Sequence, residues 1–153
     1  MIRPYTHADE VAVLALLQLN IPRYFAPEEA LELEDYLARE AAHYFVVEVD
    51  GQLIGAGGYN YFPEDRTARI SWDFFHPDYH GQGWGGRLID HRLNAIRTRT
   101  AARKIVVRTS QLAYRFYEKM GFTLTDTEKD YWAPGFDLYH MEMNLQADDE
   151  SRP

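Results

Sequence analysis

The chain has 153 residues, 46% hydrophobic and 26% charged, an ordinary composition for one folded domain that excludes disorder as the starting expectation. A formal charge of −8 argues against a nucleic-acid partner, which requires a basic face, and weakly favours cationic or neutral partners. The absence of cysteine excludes disulfides, thiol nucleophiles and cysteine-based zinc sites, and a reducing cytoplasm is the simplest home. The opening "MIRPYTHADE" lacks the apolar centre of a signal peptide, and no run reaches the length of a membrane span. A cytoplasmic protein with no membrane partner is expected.

A short extended piece comes first. Thr6 and Asp9 then resemble a capping box, ahead of Val11, Leu14 and Leu17, so a helix is predicted at about 7–20. "IPRYFAP" breaks it with two prolines. "PEEALELEDYLAREA" predicts a second helix, with glutamates near the positive end of its dipole. "HYFVVEVDGQLIGAGGYNYF" holds two strand-like runs around Asp50-Gly51, a dipeptide suited to a tight hairpin. "TARISWDFF" is a third such run. After a glycine-rich stretch, "GGRLIDHRLNAIRTRTA" carries Ile89, Leu93 and Ile96 on one helical face. "KIVVRT" predicts a buried strand, and "LAYRFYEKM" a helix stopped by Gly121. "FTLTDT" and "LYHMEMNL" predict strands joined by a loop, "EKDYWAPGFD". The order β-α-α-β-β-β-α-β-α-β-β implies an α+β fold on a mixed, mostly antiparallel central sheet flanked by helices. Residues 1–145 are expected to form a single domain, and 146–153 a frayed tail.

The stretch "HPDYHGQGWGGRLI" contains Gly81-Gln82-Gly83-Trp84-Gly85-Gly86, which matches the dinucleotide fingerprint G-x-G-x-x-G. That reading needs a strand running directly into the first glycine and an acidic residue about 20 positions on. Here five residues including Pro77 intervene after Phe75, and the later segment is "IVVR". NAD is therefore disfavoured. What remains is a helix mouth where backbone N–H groups can approach an anion without hindrance from Cβ atoms. A plain turn packing a helix onto a sheet is the alternative.

His80-Gly81-Gln82-Gly83-Trp84-Gly85 resembles the acyl-CoA pyrophosphate loop of the GNAT superfamily of N-acetyltransferases, written Q/R-x-x-G-x-G/A. "SQLAYRFYEKMGF", Ser110 to Phe122, is similar to the second signature of that superfamily, and "IRPYTHAD" to its usual start. The strong motifs cover about a third of the chain, and the order of elements matches throughout. His80 stands where arginine or glutamine is usual, and Ser110 replaces a common asparagine.

The resemblance implies an acyl-CoA N-acyltransferase-like fold with acetyl-CoA as co-substrate, transferring its acetyl group to an amine of a small molecule or peptide through a tetrahedral intermediate. A non-catalytic acyl-CoA-binding sensor or interaction module is the alternative, and a homodimer is an open alternative to a monomer. Gly81, Gln82, Gly83, Trp84, Gly85, Gly86 and His80 would lie along the pyrophosphate, with Arg87 beside it. Phe74, Phe75 and His76 would flank the pantetheine arm, the Phe75 N–H facing the thioester oxygen. Ser110 and Tyr114 would hold the arm further on. Tyr117 matches the tyrosine that protonates the leaving thiolate; without the resemblance it reads as a core aromatic.

An alkylammonium of pKa about 10 costs roughly 4 kcal/mol to deprotonate at neutral pH, so a base is useful. Asp73, inside "ISWDFF", is the best choice, because a mid-strand carboxylate is costly unless used or paired. Its alternatives are an ion pair with Arg69 or Arg108, or an ordered water acting as base. "RTRTAARK" reads as solvated helix-end charge more readily than as a phosphate contact. His76 and His80 are separated by Pro77 and no H-E-x-x-H occurs, so no metal is expected. The loops "PRYFAP", "YNYFPED" and "KDYWAPGFD" are the expected walls of the acceptor pocket, for a small cationic or amino-bearing substrate.

Overall fold

The computed structural model describes residues 1–145; the expected tail, 146–153, lies outside them. The eleven main elements follow the predicted order: β1 (Ile2–Pro4), α1 (Glu10–Gln18), α2 (Glu29–Arg39), β2 (Tyr44–Val49), β3 (Gln52–Phe62), β4 (Thr67–Phe75), α3 (Trp84–Arg99), β5 (Lys104–Thr109), α4 (Tyr114–Lys119), β6 (Thr123–Ala133) and β7 (Phe136–Asn144). Strand order is β1-β2-β3-β4-β5-β7-β6. β4 and β5 are parallel over Thr67–Ile70 and Lys104–Val107, while β1–β2, β2–β3, β5–β7 and β6–β7 are antiparallel. The mixed α+β class is as expected.

Contacts divide the chain into two compact units, Met1–Asn60 with Ser71–Arg92, and Tyr61–Ile70 with the described residues from Leu93 on. In the first, Val13, Leu16 and Leu17 of α1 and Leu33 and Leu37 of α2 pack with Val46. Val11, expected on that apolar stripe, is 79% exposed. A single 3-10 turn at His7–Asp9 precedes α1, so the stripe starts at Val13. Asp50 and Gly51 both take positive φ (51° and 78°) in the β2–β3 turn, as the dipeptide predicted. Trp72 in β4 also has positive φ (48°), and Tyr44 Oη donates to its carbonyl at 2.7 Å. A bulky residue rarely adopts that conformation, so β4 carries a held irregularity one residue before Asp73.

In the second unit Ile96, Ile105, Val107, Tyr117, Phe122 and Met141 are buried. The loop predicted at "EKDYWAPGFD" is instead mostly strand: β6 continues to Ala133 and turns at Pro134-Gly135 into β7. Side chains explain the difference. Asp137 Oδ1 accepts from Asp130 N (2.9 Å), and Asp130 Oδ1 from Gly135 N (2.8 Å). These polar residues read as loop formers, yet they tie the hairpin together. No helix among the described residues is long and apolar enough to cross a membrane.

Candidate functional site

In the first unit the glycine stretch runs into α3. Gly81 and Gly83 have positive φ (78° and 85°), and a Cβ built on either would meet nothing within 4 Å. The Gly83 carbonyl accepts from Arg87 N at 3.1 Å, which makes Gly83 the N-cap. The N–H groups of Trp84, Gly85 and Gly86 therefore lie ahead of the first intrahelical bond. Glycine has no side chain to cap them, and the first turn of α3 carries no acidic residue, whereas α1 and α2 begin with Glu10 and Glu29. An uncompensated helix start of this kind suits an external anion. Arg87 lies over the Trp84 ring at 4.6 Å, its charge exposed on the same turn.

The end of β4 is fixed from several sides. The Phe75 carbonyl accepts from Asn20 Nδ2 (3.0 Å) and lies 3.1 Å from His80 Nε2. His76 N donates to Ile54 O at 2.7 Å, which orients the Phe75–His76 peptide. The Phe75 ring lies over Gly55, in space that any side chain would fill. Phe74 is a core residue, 5.9 Å edge-on to Phe25. His80 packs edge-on against Tyr24, so the residue that departs from the usual motif braces the strand end. Gln82 Nε2 donates to the Asp78 carbonyl at 3.3 Å, and His76 Nδ1 accepts from Asp78 N.

Asp73 is ion-paired with an arginine that was not named from sequence. Arg92 Nη2 lies 2.7 Å from Asp73 Oδ2, and Arg92 is fully buried. Its Nη1 donates to Gly58 O and its Nε to Leu88 O, both at 3.2 Å. A Cβ on Gly57 would come within 2.8 Å of Arg92 Nη1 and 3.0 Å of Asp73 Oδ1, so only glycine leaves room for the pair. Arg69 instead stacks on Phe62, and Arg108 on Tyr131 and Trp132. The signal that would have found Arg92 was present: it sits four residues from both Leu88 and Ile96 on the apolar stripe of α3.

In the second unit the Ser110 carbonyl accepts from Ala113 N and Tyr114 N, and its Oγ from Leu112 N, which starts α4. Tyr114 packs on Tyr139 with centroids 4.7 Å apart. Tyr117 is 5% exposed, edge-on to Phe116 and Phe122, and its carbonyl accepts from Phe122 N. Arg97 and Arg99 are exposed in the last turn of α3, as solvated helix-end charges. Among the described residues no cluster of three histidine or acidic side chains could hold a metal ion.

This order of elements is matched in known proteins. The model of the acetyltransferase (GNAT) family matches residues 12–122. The chain belongs to the GNAT family. It is 31% identical over 97 residues to an amino-acid acetyltransferase of Actinobacillus pleuropneumoniae serotype 3 (strain JL03), a match covering 61% of this chain and 21% of that protein. It thus spans about a fifth of the length of the curated relatives it matches. Among solved structures, Ard1 from Thermoplasma volcanium superposes with a TM-score of 0.77 at 23% identity, covering 95% of this chain and 97% of that one. YncA from Salmonella typhimurium, solved with its cofactor acetyl-CoA, gives 0.76 at 21%, covering 95% and 93%. Both structures share the fold of this chain.

Proposed function

We propose that residues 1–145 act as one acetyl-CoA-dependent N-acetyltransferase domain whose acceptor is an amine of a small molecule or peptide. The family match spans residues of both compact units, which supports one catalytic domain. The observation that carries the reading is the start of α3: three backbone N–H groups with no cap, no first-turn acid and open space at Gly81 and Gly83. Those N–H groups, with Arg87 alongside, would hold the pyrophosphate of acetyl-CoA. The acetyl-CoA bound to YncA supports the choice of ligand. The co-substrate supplies an activated thioester.

This chain's residues supply the rest. The Phe75–His76 peptide, held by Asn20, His80 and Ile54, fixes the end of β4 just after Phe75 N–H, the backbone donor that would face the thioester oxygen and stabilise the oxyanion. Tyr117 holds the proton for the departing sulfur. The pairing of Asp73 with Arg92 favours the ion-pair reading over that of a base, since a fully buried guanidinium at 2.7 Å already engages the carboxylate. Deprotonation of the amine then falls to ordered water. The −8 charge and the lack of cysteine support a cytoplasmic protein without a nucleic-acid partner.

The test is turnover of an amine panel with acetyl-CoA, followed as free CoA, for the wild type and Tyr117→Phe. The substitution keeps the ring and deletes the hydroxyl proton. It should lower kcat by about 10²–10⁴-fold and leave acetyl-CoA affinity unchanged. Unchanged kcat in the folded variant would remove Tyr117 from the mechanism. Acetyl-CoA binding with no turnover of any amine would instead describe an acyl-CoA sensor.

A further inference from the structure

The β6–β7 hairpin of the second unit is docked onto the end of β5 by side chains. Trp132 Nε1 donates to Thr109 O at 3.1 Å, Gln111 Nε2 to Gly135 O at 2.8 Å, and Asp137 N to Gln111 Oε1 at 3.0 Å. This arrangement frames Arg108. Its guanidinium carbon lies 5.1 Å from the Tyr131 ring centroid and 5.6 Å from that of Trp132, and its Nη2 donates to Tyr131 Oη at 2.6 Å.

Two rings and a hydroxyl orient the cation without neutralising it. Arg108 pairs with no carboxylate among the described residues, and that single bond uses one of five N–H donors. The hairpin carboxylates Asp130 and Asp137 are turned to backbone N–H groups instead. A planar guanidinium with its edge free and its face stacked is preorganised for bidentate recognition of a carboxylate.

Its direction follows from the strand register. Thr109 pairs with Tyr139, whose ring meets Tyr114 of α4, so that face of β5–β7 belongs to the helix carrying Tyr117. Arg108 pairs with His140 and, one residue out of phase, faces the other side. A substrate held there approaches from the face opposite the proton donor.

We propose that Arg108, framed by Tyr131 and Trp132, anchors the carboxylate of the acceptor, so that the substrate is a free amino acid. This rests on the N-acetyltransferase reading and narrows it. The step transfers the acyl group to the amino nitrogen, releases CoA thiol and liberates one proton from the ammonium; the carboxylate is unchanged.

The experiment measures kcat/KM with acetyl-CoA for the twenty standard L-amino acids and their carboxamides, using the wild type, Arg108→Gln and Arg108→Lys. Acetyl-CoA affinity and the melting temperature are measured on the same samples. At least one free acid should exceed its carboxamide by tenfold or more. Arg108→Gln should abolish that preference mainly through KM, and Arg108→Lys should restore part of it. Equal use of acid and carboxamide, turnover of carboxamides alone, turnover of neither, or a preference surviving Arg108→Gln would overturn the anchor. If Arg108→Gln does not fold, the wild-type ratio and the lysine variant still decide. Loss of the anchor with acetyl-CoA binding intact leaves the cofactor reading standing; no binding of acetyl-CoA to the wild type overturns that reading itself.

Discussion

Asp9 and Glu29 perform the same local task in opposite surroundings. Each carboxylate accepts the backbone N–H three residues earlier, Thr6 for Asp9 (2.9 Å) and Ala26 for Glu29 (2.8 Å). Asp9 also takes both Nη atoms of Arg3 at 2.9 Å, and this bonding holds its pKa at about 2, below the ordinary 3.8. Glu29 has no such cation: burial first, then Glu32 and Glu28, push it to about 6 from 4.5, against the Ala26 bond. The signs of linkage therefore differ. Asp9 contributes stability above pH 3.8 that is lost as pH falls toward 2. Glu29 contributes most below pH 4.5, and that contribution is lost as pH rises through 6. Glu29→Gln keeps an acceptor for Ala26 N and should stabilise the protein by about 1–2 kcal/mol at pH 7.5, with no gain at pH 4. Denaturant melts at the two pH values check this; an equal gain at both would show that ionisation is not the cause.

Among the elements, β4 and β5 were legible to the residue, because "TARISWDFF" and "KIVVRT" combine strand-forming side chains with clear polar boundaries. The start of α3 was legible too, since a glycine cluster before an apolar stripe leaves little choice. The positive φ of Trp72 was not, because nothing local favours it; the Tyr44 hydroxyl that holds it comes from 28 residues away. The long β6–β7 hairpin was hidden for the same reason, its bonds to Gln111 and Thr109 being non-local. The Asp73–Arg92 pair lies between these cases. Asp73 stood out inside a strand, Arg92 on the apolar stripe of α3 went unread, and the two charges pair with each other. Removing one partner strands the other in the interior, at a cost of about 3–5 kcal/mol. Arg92→Met should lower stability by that amount, and Asp73→Asn by a similar or smaller one, in chemical denaturation. An Asp73→Asn variant with native stability but no turnover would return Asp73 to the role of base.

At the scale of the molecule, the family match from residue 12 to 122 accounts for the order of elements. The sequence motifs named the two ends of the proposed chemistry, the glycine loop and Tyr117. The acceptor side was the least legible: its expected walls were loops, whereas Arg108 lies on β5 and declares itself only through the β6 rings around it. The central claim is that the start of α3 binds acetyl-CoA through backbone groups, and titration calorimetry tests it most directly. Gly85 is the second residue of α3, where valine can adopt the helical backbone, so Gly85→Val should leave the fold intact while its side chain blocks the approach to the N–H groups. The wild type should bind acetyl-CoA and not NAD, and folded Gly85→Val should bind acetyl-CoA at least tenfold more weakly. Wild-type affinity in that variant, or a wild-type protein that binds NAD and not acetyl-CoA, would contradict the account.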